Sequence, residues 1–157
     1  MTQDWRTDRI GSAERGEHPL VIARMKSGFA VMGDTQMLPG YCLLLASPSA
    51  PRLEDLPYPA RSRFLADMGL LGEAISAACS PRRMNYSIYG NADVYLHAHL
   101  FPRYEWEAAE RMGGPPFSYP PAILRDPAQA YDEARHGELK GRIGRELERL
   151  MRAVGEA

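Results

Sequence analysis

Cysteine is scarce in this chain: it has two, Cys42 and Cys79, each in an apolar context, "GYCLLLAS" and "AISAACS". They read as core filler, which argues against a disulfide framework and for a reducing, cytoplasmic setting. Long apolar runs are missing too. No stretch approaches the roughly 18 apolar residues of a membrane span, and the polar opening "MTQDWRTDRIGSAERGE" lacks the apolar run of a signal peptide. The expectation is a soluble protein with no membrane partner. Excess charge is also lacking, since 19 Lys and Arg stand against 20 Asp and Glu for a formal net charge of -1. A generic basic surface for nucleic acid is therefore not expected, and an anionic ligand must meet local positive charge.

The 157 residues fit one domain, 1–157, with 45% hydrophobic residues to build a core. "PLVIARM" (Pro19 to Met25) and "GFAVMGD" (Gly28 to Asp34) are short Val- and Ile-bearing runs parted by Lys26 and Ser27. They predict two strands of a hairpin. After the Pro39-Gly40 break, "YCLLLAS" predicts a third strand, and the short connections make the three an antiparallel meander. From Pro59 to Ser80 the period changes. Phe64, Met68, Leu71, Ile75, Ala78 and Cys79 fall on one stripe of an amphipathic helix, which Pro81 stops.

"MNYSIYGN" (Met84 to Asn91) and "VYLHAHLF" (Val94 to Phe101) predict two further strands joined by a turn. Beyond Tyr104, Pro115, Pro116, Pro120 and Pro121 mark a rigid irregular loop; Trp106, Phe117 and Tyr119, in or beside it, read first as packing anchors and otherwise as rings that stack on a base or close over a leaving group in a pocket. Leu139, Ile143, Leu147, Leu150, Met151 and Val154 then form the apolar stripe of a last helix, which needs its own sheet or a second subunit to cover. The fold class is α+β: an antiparallel sheet of about five strands with one long central helix. The sheet and helix occupy about residues 19–104, and a C-terminal loop and helix extend over about 105–157.

The chain's chemistry concentrates in "DVYLHAHLFPRY", which holds two of its four histidines one residue apart. Alternation on a strand sends Val94, Leu96, Ala98 and Leu100 to the core and puts Tyr95, His97, His99 and Phe101 on the opposite face. Two imidazoles on one face can address a single ligand. One reading is a hydrogen-bonded pair on a half-exposed sheet. A second is a metal site completed by a third His or a carboxylate, with Glu105 and Glu107 nearest and His18 and His136 far off in polar segments. A third is attack on phosphorus by one imidazole, with the other as neighbour and Arg103 as the cation for phosphate oxygens.

The stretch "YLHAHLFPRY" resembles the signature of the histidine triad family, His, apolar, His, apolar, His and two apolar residues, often followed by Pro-Arg. Tyr95 stands at the first His, His97 at the second and His99 at the third. "GFAVMGDTQMLPGYCLLLASPSAPRLEDLP" is similar to the family's strand, Pro-Gly, strand and Pro-containing segment, and "NYSIYGN" to the strand beside the histidine strand. The likeness spans roughly Pro19 to Tyr104.

The resemblance implies a nucleotide hydrolase or nucleotidyl transferase that works through a covalent nucleotidyl-histidine. Its substrate would be a nucleoside phosphoramidate, a dinucleoside polyphosphate or a related small nucleotide. It makes His97 the nucleophile and His99 a contact to phosphate oxygens. The strand around Phe29 to Asp34 would line the base and ribose pocket, with Asp34 on a ribose hydroxyl or else a solvated turn carboxylate. Asn91 would lie near the phosphate or sugar, or serve the turn alone. A homodimer with sheets joined edge to edge is implied, and no cofactor; Mg²⁺ is not implied by the residues. Two features depart from the pattern: Tyr95 for the first His, and a shorter connection before the histidine strand. They motivate the alternative of a weakly catalytic or non-catalytic nucleotide-binding module, beside the His-x-His metal-binding protein.

Overall fold

A computed structural model describes residues 4–156. Met1 to Gln3 of the polar opening, and Ala157, lie outside the described residues. Five strands, β1 (Val21–Met25), β2 (Gly28–Met32), β3 (Cys42–Ala46), β4 (Arg83–Ile88) and β5 (His97–Arg103), form one sheet in the order β1-β2-β3-β5-β4, with every neighbouring pair antiparallel. The meander is thus followed by a second hairpin whose later strand inserts beside β3. That insertion puts β5, which carries the histidines, inside the sheet with partners on both edges.

Helix α2 (Tyr58–Cys79) begins beside Pro57 and ends at Ser80, whose left-handed backbone (φ 48°) turns the chain just before Pro81. Phe64, Leu71 and Ile75 are fully buried on its inner face, and Met68, Ala78 and Cys79 pack beside them. Asp67 is buried on the same helix, where its carboxylate accepts from the backbone N–H of Ser27 at 2.9 Å and its hydroxyl at 2.6 Å. A hydrophobic stripe could not announce that bond. Helix α5 (Glu133–Ala153) lies against α2 and β1, burying Ile143, Leu147 and Met151. Its cover is therefore the chain's own sheet and central helix. Val154, expected on that stripe, falls just past the helix end and is exposed.

One sheet face carries Ala30, Met32, Cys42, Leu44, Ala98 and Leu100 against α2 and α5. The opposite face carries Val31, Leu43, Leu45, His97, His99 and Phe101, because register pairs Leu45 with His97 and Leu43 with His99. The histidine strand is shorter at its start than expected. Pairing begins at His97, and Val94, expected in the core, is exposed in the turn.

Two segments that read as polar or irregular are built. Helix α1 (Arg9–Glu14) caps the histidine face from the N-terminal side, with Ala13 packed on Phe29, Val31 and Leu45. The proline-rich loop folds into short turns, α3 (Ala109–Met112), α4 (Pro121–Leu124) and 3-10 turns at Pro116–Ser118 and Pro127–Gln129. Proline supplies the φ these turns need and lacks the N–H that a first turn leaves unpaired. The last of them docks on the β2–β3 connection: Gln36 donates its N–H to Gln129 at 2.7 Å, and Tyr131 donates to the Asp34 carbonyl at 2.7 Å.

Candidate functional site

The β2–β3 connection sets the first part of the site. Gln36 is buried, its amide N–H₂ donates to the carbonyls of Gly33 and Tyr41 at 3.0 Å each, and its oxygen accepts from Gly40 N–H at 2.9 Å. Gly40 sits at φ 96°, and a Cβ there would come within 2.7 Å of the Cys79 sulfur. The closed loop aims Tyr41 across the sheet at the histidines.

His97 and His99 stand with ring centroids 4.9 Å apart, His97 buried and His99 partly so. Their hydrogen bonds assign them different tautomers. Nδ1 of His97 lies 2.7 Å from the backbone carbonyl of Tyr95. A carbonyl only accepts, so the neutral ring carries its proton on Nδ1 and leaves the Nε2 lone pair free. Nδ1 of His99 lies 2.7 Å from the Tyr41 hydroxyl. Burial pushes the Tyr41 phenol up and holds it protonated, while burial, helped by His97, lowers His99 to about 4. The phenol therefore donates to Nδ1 of a neutral His99, whose proton sits on Nε2. The pair presents one free basic nitrogen beside one N–H donor.

These rings form part of a cavity of about 600 Å³ on the sheet face opposite α2 and α5. Its walls include Val31, Leu43 and Leu45 from the sheet, Tyr95 and Asp93 from the turn before β5, and Phe117, Leu124 and Arg125 from the C-terminal segment. Of the expected site residues, His97, His99, Tyr95 and Asp34 come together here, and Asn91 lines a neighbouring cavity that shares the two histidines. Asp34 is not a free turn carboxylate: Arg9 of α1 donates to both its oxygens, at 2.9 and 2.6 Å. Tyr95 contributes its carbonyl to His97, with its ring tilted against that imidazole at 4.9 Å.

Two expectations are corrected. Phe29 does not line the cavity; it is buried beneath the Arg24 guanidinium, 4.5 Å away, and Val31 two residues on takes the lining position. Arg103 is not a free cation. It is 5% exposed, and all five of its N–H donors are taken, by Glu107, Asn85 and the carbonyls of Arg111 and Gly114 at 2.6 to 3.1 Å. A guanidinium in that position has nothing left to offer a phosphate. The arginines that reach the cavity are Arg9 and Arg125.

Glu107, weighed as a third metal ligand, is bound to Arg103, and Glu105 points to Arg82 at 3.3 Å. Among the described residues no group of three or more His, Cys, Asp or Glu is placed to hold a metal ion. Reading the sequence missed Tyr41, Gln36, Arg9 and Arg125. The first two flank a visible Pro39-Gly40 signal, but nothing local says that Tyr41 faces a histidine 58 residues on.

The architecture is that of histidine triad proteins. A histidine triad protein from Sinorhizobium meliloti superposes with a TM-score of 0.70 at 17% identity, covering 92% of this chain and 96% of its own. One from Marinobacter aquaeolei gives 0.69 at 21% identity over 83% and 89%. A hypothetical histidine triad nucleotide-binding protein from Sulfolobus tokodaii gives 0.70 at 13% identity over 93% and 95%. At such identities the likeness is one of fold. No family model and no curated protein matches the sequence.

Proposed function

We propose that the protein binds a small nucleotide in the larger cavity and cleaves a bond to its phosphorus through a covalent nucleotidyl-His97. The observation that carries this reading is the 2.7 Å contact of His97 Nδ1 to the Tyr95 carbonyl, which leaves Nε2 as a lone pair at the cavity wall. Nε2 bonds to phosphorus as the bond to the leaving group breaks. The leaving group departs with the electron pair and takes a proton from solvent. Water then adds to phosphorus and gives a proton to solvent as the P–N bond breaks and its electron pair returns to Nε2. The His99 Nε2–H donates to a phosphate oxygen throughout. Tyr95 in place of an outer histidine is consistent with this scheme, because the backbone carbonyl already orients the nucleophile.

The accompanying expectations are a cytoplasmic enzyme with no resident cofactor, acting as a homodimer with sheets joined edge to edge. Light scattering on the purified chain tests the last of these. Chemistry is tested by intact-protein mass spectrometry after brief mixing with adenosine 5′-phosphoramidate or diadenosine tetraphosphate. A nucleotidyl adduct is expected on the native chain and on Tyr95→Phe, and none on His97→Ala. An adduct that persists in His97→Ala overturns the assignment. Nucleotide affinity with neither adduct nor product selects instead a binding module, a reading favoured by the commitment of Arg103 to Glu107.

A further inference from the structure

The two histidines are a wall between two spaces. Asp93, His97, His99 and Phe117 line the larger cavity and also a second one of about 440 Å³, whose other walls are Tyr89, Gly90, Asn91 and Ala92. The two differ in the cations they hold. The larger has Arg9 and Arg125 beside three aspartates, Asp93 among them, whereas the smaller has no Lys or Arg among the described residues of its lining and one charged group, the same Asp93.

The smaller cavity is aromatic. Phe117 meets His99 edge-on with centroids 5.0 Å apart, Tyr89 meets Phe117 edge-on at 5.6 Å, and Tyr89 lies 6.1 Å from His99. Both rings remain open to a ligand, Tyr89 at 54% and Phe117 at 42% exposure. Phe117 is also held from both sides. The Gly114 carbonyl before it accepts from Arg103, and the Tyr119 hydroxyl after it donates to Glu107, so the buried ion pair fixes the turn that presents the ring.

We infer that the smaller cavity is a leaving-group site, in which Tyr89 and Phe117 select a planar, uncharged group and Asp93 repels polyphosphate. The inference rests on the proposed reaction and names its substrate class: a nucleoside monophosphate joined to an aromatic, non-anionic leaving group. Phosphorus sits at the shared histidine wall with the nucleoside in the larger cavity. The bond to the aromatic group breaks when Nε2 of His97 attacks, and that group leaves through the smaller cavity with the electron pair and a proton from solvent. A polyphosphate leaving group would carry its charge into a space whose only fixed charge is negative. A ring leaving group instead gains edge and face contacts with two preset aromatics.

The test compares kcat/KM for adenosine 5′-(N-phenethyl)phosphoramidate, unsubstituted adenosine 5′-phosphoramidate and diadenosine tetraphosphate. Ratios between substrates on one enzyme sample are insensitive to how much of a variant folds. The phenethyl substrate is expected to be preferred by about tenfold or more over each of the others. Phe117→Ala and Tyr89→Ala are expected to bring that preference towards one, Phe117→Tyr to keep it, and Asp93→Asn to raise diadenosine tetraphosphate relative to the phenethyl compound. Equal use of all three substrates by the native chain, or a preference unchanged in both alanine variants, overturns the leaving-group site and leaves the His97 mechanism standing. If the native chain forms neither adduct nor product with any of them, the mechanism falls and this inference with it.

Discussion

The Tyr41 hydroxyl and Nδ1 of His99 lie 2.7 Å apart, joining the loop after β2 to the strand that carries both histidines. The bond fixes which nitrogen of His99 bears the proton and so whether that ring can donate to an oxyanion. Tyr41→Phe removes the bond while keeping the ring stacked on Phe101 at 3.8 Å. The expected result is a loss of about 1 kcal/mol in stability and a fall of roughly tenfold in kcat. Wild-type turnover in a chemical-quench assay of this variant would show that the tautomer of His99 does not matter.

Acid should destabilise the fold through two buried rings. His18 and His99 each fall to about 4 from an ordinary 6.5, both chiefly through burial, with Arg9 adding to the effect at His18 and His97 at His99. Between pH 6.5 and 4 the unfolded chain binds more protons at these rings than the folded one. Their contribution to stability is therefore complete above 6.5 and is lost as pH falls towards 4. Thermal melts at pH 7 and pH 5 should differ by several degrees, and His99→Gln should narrow the gap. A melting temperature unchanged over that range would contradict the burial of these rings.

Glu107 is the partner that keeps Arg103 underground. Its carboxylate also accepts from the Tyr104 backbone N–H at 2.7 Å and the Tyr119 hydroxyl at 2.6 Å. Glu107→Gln leaves a buried guanidinium without a counter-charge, and a loss of about 3–5 kcal/mol is expected from urea denaturation. Replacing both partners by apolar residues, Arg103→Met with Glu107→Leu, should lose less than the single change. If the single variant is as stable as the native chain, the pair is not buried in solution.

Periodicity was enough for most of the framework. Apolar runs bounded by turn residues mark all five strands, and three- and four-residue spacing marks α2 and α5, because half-burying an element imposes its own period on the chain. The same signal has nothing to say about α1, whose six residues bury only Ser12 and Ala13, nor about Asp67, a buried acid on an apolar stripe. The proline-rich loop was legible as irregular, but not as a wall of the cavity.

Within the site, the residue order alone places two imidazoles on one strand face, since alternation is local and β5 needs no distant information to separate His97 and His99 from Ala98 and Leu100. Everything that distinguishes the two rings depended on tertiary structure. The Tyr95 carbonyl reaches His97 only where the chain bends into β5, Tyr41 reaches His99 only through β3–β5 register, and Arg103 lost its expected task because Glu107 folds back upon it. Phe117, a packing residue by its neighbours, stands at the histidines because that buried ion pair anchors its turn. Residue type and strand parity are properties of a short segment. The tautomer of His99 and the shape of the cavity come from groups far apart in sequence, and even the near partners, Tyr95 for His97 and Glu107 for Arg103, meet only where the folded backbone turns.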